Sequence, residues 1–207
     1  MDLSDIASLP DVARRADALA GPIDILVNNA GIGQNGLALD CPIALVELIM
    51  RTNYLGPVTL TSCMLQRMRE RGRGQIVTVT SVLGKFGIRR RSAYCASKHA
   101  LHGYFDSLRC ELEDDGARGI ELTLLCPGWV RTELEVRALT GDGSPRGTAT
   151  RAGTTGMDPD VFARRALRAI RKGKQEAYIG GLEIAAVWVK RLAPWLLRTA
   201  LAWEAMD

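Results

Sequence analysis

The sequence predicts an α/β protein, a doubly wound parallel sheet with helices on both faces. Short runs rich in Ile, Leu and Val alternate with longer segments of helical period. The runs are almost continuously apolar, as strands buried on both faces of a parallel sheet are. At 207 residues, with 47% hydrophobic and 24% charged residues, the chain has the length and composition of one ordinary globular domain.

Taken in order, Pro10 to Ala20 reads as a short helix closed by Gly21-Pro22, and DILVN (24–28) as the first strand. From Pro42 to about Arg71 the period is helical, with an irregularity at Gly56-Pro57. GQIVTVTS (74–81) is the second strand, and a helix runs from Ser92 to about Glu113. IELTLLC (120–126) is the third strand, stopped by Pro127-Gly128. The Gly/Thr/Ser-rich stretch 140–156 reads as a mobile loop. Asp158 caps a helix to about Lys172, and EAYIG (176–180) is the fourth strand. Residues 1–181 form the domain, and 182–207 form an apolar helical tail that packs on it. The tail holds three of the four tryptophans and is kinked by Pro194. Glu183, Lys190, Arg191 and Arg198 fall on one helical stripe. This pattern also fits a peripheral membrane contact through 182–203, although packing on the cleft or a partner is favoured.

The net charge of +4 argues neither for nor against nucleic acid, no other feature adds a case, and no nucleic-acid partner is expected. Five cysteines, odd in number and without a C-x-x-C, point to a reducing compartment and not to a disulfide framework or a zinc site. His99 and His102 stand at i, i+3 without a carboxylate or cysteine partner, so helix packing or solvent exposure is expected there and no metal. The N-terminus has an acidic start and no apolar h-region, so a cytoplasmic protein is expected.

In parallel sheets, ligands bind outside the carboxyl ends of the strands, so function is sought after Val27, Thr80 and Leu125. After Val27 comes Gly31-x-Gly33-x-x-Gly36, the spacing of a phosphate loop, yet the next helix starts several residues too late to aim its N-terminus at an anion. After Thr80 comes Ser81, followed 13 residues later by Tyr94, with Lys98 one helical turn beyond. Positions i and i+4 share a helix face, and an ammonium beside a phenol favours the phenolate. A serine hydroxyl then holds a substrate oxygen against the phenol, an arrangement for proton transfer coupled to hydride transfer.

These residues, with Asn28-Asn29-Ala30-Gly31 after a strand, Asn53 in the next helix, and Pro127-Gly128 followed by Thr132, resemble the short-chain dehydrogenase/reductase family over roughly residues 1–180. The resemblance implies a Rossmann-like fold and an NAD or NADP cofactor. It implies Tyr94 as general acid/base and Lys98 as the group that lowers its pKa and holds the nicotinamide ribose. Ser81 would orient the substrate oxygen, and Asn53 would hold a water in the proton relay. Asn28, Ala30 and Gly31 would lie along the adenosine half, while Pro127, Gly128, Val130 and Thr132 would surround the nicotinamide. The loop at Gly31 would thus touch a dinucleotide without being its phosphate loop.

The family's glycine-rich loop, T-G-x-x-x-G-x-G after its first strand, has no counterpart here. The chain opens at MDLSD, similar to the end of the family's third strand, where an aspartate reads the adenine; Asp2 is the candidate. The expected fold is therefore N-terminally incomplete by two βαβ steps, about 60 residues, with an unpaired apolar edge on the strand at 24–28. A truncated form of a longer enzyme is the preferred account.

The expected function is hydride transfer between NAD(P)(H) and a secondary alcohol or ketone, hydrophobic like a lipid or steroid. The loop 133–157 would close over this small-molecule substrate. Arg89, Arg90 and Arg91 lie between Ser81 and Tyr94, where they either attract an anionic substrate or are solvated surface. The resemblance also implies a homo-oligomer paired through helices 42–71 and 92–113. The alternative is a catalytically silent binding or scaffold protein.

Overall fold

Four strands pair in parallel in the order β1-β2-β3-β4: β1 (Ile25–Asn28), β2 (Gly74–Val79), β3 (Ile120–Pro127) and β4 (Glu176–Ile179). The computed structural model describes residues 1–117, 119–148 and 151–203. Val27 pairs with Val77, Val77 with Thr123, and Leu125 with Ala177. Successive side chains leave opposite faces of a strand. Accordingly Ile76, Leu122 and Leu124 enter one apolar layer and Val77, Leu125, Ala177 and Ile179 the other. The first layer is covered by α1 (Leu9–Ala20), α3 (Gly56–Arg71) and α4 (Ser92–Asp114), the second by α6 (Pro159–Arg171). The fold is the expected doubly wound, Rossmann-like sheet. β1 is its edge, with Ile25 and Val27 about half exposed.

The helix expected from 42 to 71 is two helices, α2 (Ile43–Met50) and α3, joined by a π-helical turn over Arg51–Leu55. The cause lies at the expected irregularity. Pro57 has no N–H to give to the carbonyl of Asn53, and the Gly56 N–H reaches back five residues to Arg51. Gly56 also lets the N-terminal segment cross closely, since a Cβ there would stand 2.7 Å from the Leu3 carbonyl oxygen.

The stretch 140–156 is more structured than its composition implies. Thr140 and Ser144 bond the Asp142 carboxylate, Leu139 bridges both Gln34 and Pro145, and the short helix α5 (Arg151–Thr155) follows. Residues 149–150 lie outside the described residues. The tail is two helices, α7 (Ala185–Leu192) and α8 (Pro194–Trp203), broken where Pro194 starts the second; 204–207 lie outside the described residues. No described helix is long and apolar enough to cross a membrane.

Candidate active site

The carboxyl ends of β1, β2 and β3 open into a cleft of about 520 Å³. Ala30, Gly31, Ser81, Tyr94, Lys98 and Gly128 all line it, with Pro127, Val130 and Thr132 beside them. Asn28 lies beneath, buried, and donates to Thr61 Oγ1 at 3.0 Å and Thr78 Oγ1 at 3.3 Å. It ties the end of β1 to α3 and β2. Asp2 is exposed and lies outside the cleft lining; its carboxylate accepts from the Ser4 N–H and hydroxyl, which hold its pKa below the ordinary value.

Ser81 leaves β2 with extended backbone and caps the 3₁₀ turn Val82–Gly84, accepting from the Leu83 N–H at 3.1 Å. Its hydroxyl also favours the ionised form of the Tyr94 phenol. Tyr94 and Lys98 stand on α4 as their spacing predicts. The Lys98 ammonium sits 5.8 Å from the Tyr94 ring centroid and donates to the Val79 carbonyl at 2.9 Å.

The electrostatics depart from the sequence expectation. Burial pushes the Tyr94 phenol up to about 12, with the Ser81 hydroxyl and the Arg91 charge only partly opposing it. Burial likewise pulls Lys98 down to about 8. Desolvation outweighs the cation here because it disfavours the charged form of both groups at once.

Asn53, carried on the π turn, is buried and its amide is fully engaged. It accepts from the Ile32 N–H at 2.8 Å and donates to the Ile32 carbonyl at 2.9 Å and Ser97 Oγ at 3.1 Å. It pins the loop that follows β1 to α4. The glycines of that loop serve a chain crossing, since a Cβ on Gly33 would meet Ala138 at 3.1 Å and one on Gly36 would meet Cys41 Sγ at 2.8 Å.

Two residues that sequence reasoning missed hold the frame. Gln34 is fully buried, and its Oε1 accepts from the Ala93 N–H at 2.7 Å and the Tyr94 N–H at 3.3 Å. It caps the helix that carries Tyr94, where Arg91 at the N-cap position makes no side-chain cap bond. Glu183, expected on the polar stripe of the tail, instead accepts from the Trp129 and Gly181 N–H groups at 3.0 Å each. A Cβ on Gly128 would fall 1.8 Å from its Oε1, so a side chain there would push the Glu183 carboxylate out of these bonds. Neither contact has a local signal: the partners are 59 and 54 residues away in sequence.

The three arginines separate. Arg89 is exposed, while Arg90, at a φ of 63°, donates to Asn35 Oδ1 at 2.8 Å. Arg91 is buried against the Glu135 carboxylate, which Arg146 also approaches at 3.6 Å. Two of the three thus tie loops together. The Arg91 pair fastens the segment 132–148 over the cleft.

The cleft suits the nicotinamide half of a dinucleotide. A Cβ on Gly31 would crowd Asn53 Oδ1 at 3.1 Å, so the glycine lets the loop pack closely on Asn53 where it lines the cleft. Val79 accepts one of the three ammonium protons of Lys98, beside a cleft that Lys98 itself lines.

Comparison with known proteins agrees with this geometry. The short chain dehydrogenase family model matches residues 1–142. The chain is 40% identical over 205 residues to dehydrogenase/reductase SDR family member 7B of Xenopus laevis, covering 99% of this chain and 62% of that protein. It is 40% identical to dehydrogenase/reductase SDR family protein 7-like of Anopheles gambiae, covering 96% and 63%. The chain thus spans just under two thirds of the length of these relatives. Among solved structures, a short-chain dehydrogenase from Streptomyces avermitilis superposes with a TM-score of 0.77 at 26% identity, covering 100% of this chain and 77% of that one. A short chain dehydrogenase/reductase from Burkholderia phymatum, in complex with NAD, does so with a TM-score of 0.81 at 22% identity, covering 95% and 75%; at that identity the likeness shows the fold. On the family match, which spans well over half its length, the chain belongs to the short chain dehydrogenase family.

Proposed function

We propose that the chain is the catalytic part of an NAD(P)-dependent oxidoreductase acting on a secondary alcohol or ketone. The observation that carries this reading is the convergence of Ser81, Tyr94 and Lys98 on one cleft with Gly31 and Gly128. Bound NAD or NADP supplies or accepts the hydride. The Ser81 hydroxyl holds the substrate oxygen, and Tyr94 Oη gives it a proton in reduction or takes one in oxidation. Lys98 bonds the cofactor ribose and places a positive charge beside the phenol. Any such charge strengthens as the site closes and loses water, and it works against the burial that holds the phenol protonated.

The remaining assignments follow. Asn28, Ala30 and Gly31 lie along the adenosine half, Asp2 reads the adenine, and Pro127, Gly128, Val130 and Thr132 surround the nicotinamide. The Asn53 amide is engaged with Ile32, so a relay water at this residue bonds its main-chain carbonyl, whose usual donor four residues on is removed by Pro57.

The substrate is hydrophobic. Val82, Leu83, Phe86 and Tyr94 form one apolar cluster with Leu197 of α8, so the tail backs the apolar residues that line the substrate end. The opposite side of the tail exposes Trp188, Leu192 and Trp195, at 55%, 81% and 63%, beside Lys190, Arg191 and Arg198. Residues 184–203 contain no acid. Tryptophans and cations on an exposed apolar surface suit an anionic membrane interface, so the tail is proposed to touch one peripherally. All five thiols are free, as a cytoplasmic setting allows. A second copy of the chain is the proposed partner of α3 and α4.

The test is saturable protection of the purified chain against thermal unfolding by NADH or NADPH, followed by turnover of hydrophobic ketones. Binding and turnover support the reading. Binding without turnover of any ketone supports the silent scaffold, and a folded chain that binds neither dinucleotide overturns the enzyme reading for this chain.

A further inference from the structure

Behind the cleft, three ligand-type side chains from three elements meet, and we propose that His102, Cys126 and Glu176 bind a thiophilic divalent cation such as zinc. His102 comes from α4, Cys126 from the end of β3 and Glu176 from the start of β4. Their ligand atoms all lie within 4.8 Å of one another. The inference stands independently of the proposed catalytic function.

The spacing is that of a coordination sphere. Cys126 Sγ lies 3.4 Å from Glu176 Oε1, and His102 Nδ1 lies 3.4 Å from the same oxygen. Bond lengths of about 2.0–2.1 Å to nitrogen or oxygen and 2.3 Å to sulfur give tetrahedral edges of roughly 3.4–3.6 Å. The imidazole meets the other two ligands through different nitrogens, Nε2 standing 3.9 Å from Cys126 Sγ, so the ring has to turn for one nitrogen to complete the sphere. Three protein ligands of types N, S and O leave a fourth position for water. That donor set selects zinc or a similar borderline-soft ion over magnesium or calcium, which take oxygen ligands.

A second, independent observation points to a ligand. His102 Nδ1 is buried with no hydrogen-bond partner, and its side chain is 7% exposed. An orphaned buried nitrogen is costly and calls for a counterpart. The surroundings resemble an outer shell: the Thr80 hydroxyl lies 3.3 Å from Cys126 Sγ and orients it. Gly84 clears room for the imidazole, since a Cβ there would stand 2.7 Å from His102 Cδ2.

Lys85 supplies the competing cation. Its ammonium bonds Glu176 Oε1 at 2.8 Å, and its side chain is 25% exposed, so it has a route out to solvent. On loading, the metal takes the Glu176 oxygen from Lys85, and the Cys126 thiol releases its proton to water. The cluster has no local signature, because the partners of His102 come from two strands and not from its own helix.

The experiment is titration of the purified, metal-stripped chain with cobalt(II), followed by thiolate-to-cobalt absorption in the near ultraviolet and tetrahedral bands in the visible. Zinc is then added as a competitor. The expected result is one equivalent bound, with bands abolished by zinc, lost in C126S and H102Q, and weakened about tenfold in E176Q. K85M should bind at least tenfold tighter. Circular dichroism and thermal midpoints check that each variant is folded; if C126S is not, H102Q and K85M decide. The proposal is overturned by a folded wild type without the bands, by bands that persist in H102Q, or by bands that vanish only when the exposed Cys110 is changed to Ser.

Discussion

The Lys98 ammonium stands over the ring of Tyr94, 5.8 Å from its centroid, and is bonded to the Val79 carbonyl at 2.9 Å. The two groups are therefore buried neighbours before they are partners. Their pKa values diverge from the ordinary ones in the sense that burial dictates, phenol up to about 12 and ammonium down to about 8.

This sets a pH signature of stability. Between pH 8 and 10.5 the unfolded chain holds the Lys98 proton more tightly than the folded one, so the Lys98 contribution to stability rises with pH across that window. Below pH 8 the burial cost is carried in full. Cys126 and Tyr94, both raised, pull stability down above about pH 9 and 10. The clean readout is the difference between wild type and K98M in urea denaturation. It should move in favour of wild type by about 3 kcal/mol across the window, and a flat difference would refute the burial account.

Removing the phenol hydroxyl tests the chemistry. Y94F should lower kcat by about 10²- to 10⁴-fold, the span of general acid/base catalysis, with dinucleotide protection against heat kept. S81A should also lower kcat, through lost orientation of the substrate oxygen and loss of a hydroxyl that favours the phenolate. A Y94F enzyme of undiminished kcat would remove Tyr94 from the mechanism.

Gln34 offers a test of frame against chemistry. Q34A leaves the first N–H groups of α4 uncapped and buried, so it should cost about 1–3 kcal/mol in denaturant unfolding. Because Tyr94 is one of the two capped residues, activity should fall more than stability alone explains.

At the crossing of the loop after β3 and the tail, G128A should be destabilising by about 1–3 kcal/mol, since the new methyl displaces the Glu183 carboxylate from its bonds. E183A should cost less, by leaving the Trp129 and Gly181 N–H groups unpaired. The double variant should be less unstable than the sum, a coupling of at least about 1 kcal/mol in a double-mutant cycle. Strict additivity would show that the clash is relieved elsewhere.

For the tail, flotation with vesicles containing anionic lipid should carry the wild type up and leave a W188S/W195S variant behind, and high salt should weaken the effect. Equal flotation of both, or none of the wild type, would assign the exposed face another role.

The fold and the meeting of Ser81, Tyr94 and Lys98 at one cleft were legible because their signals are local. Ser81 ends an apolar run, and Tyr94 and Lys98 are one turn apart on a helix of clear period. What escaped was set at long range. Glu183 follows the tail's polar stripe in sequence, yet the 3₁₀ turn at Leu182–Ile184 swings it back toward Gly128. The stretch 140–156 has a loop's composition, and composition does not record that Leu139 is bonded on both sides. The raised phenol of Tyr94 was missed because burial, unlike spacing, is not written in a heptapeptide.

The Asn35 N–H bonds the Leu139 carbonyl at 2.7 Å, and the Leu139 N–H bonds the Gly33 carbonyl at 3.0 Å. The segment over the cleft is thereby stitched to the loop after β1, and Ala138 within it is fully buried. Amide exchange at Asn35 and Leu139 then reports a single opening event, and a molecule too large for the cleft mouth has to wait for both loops to part together.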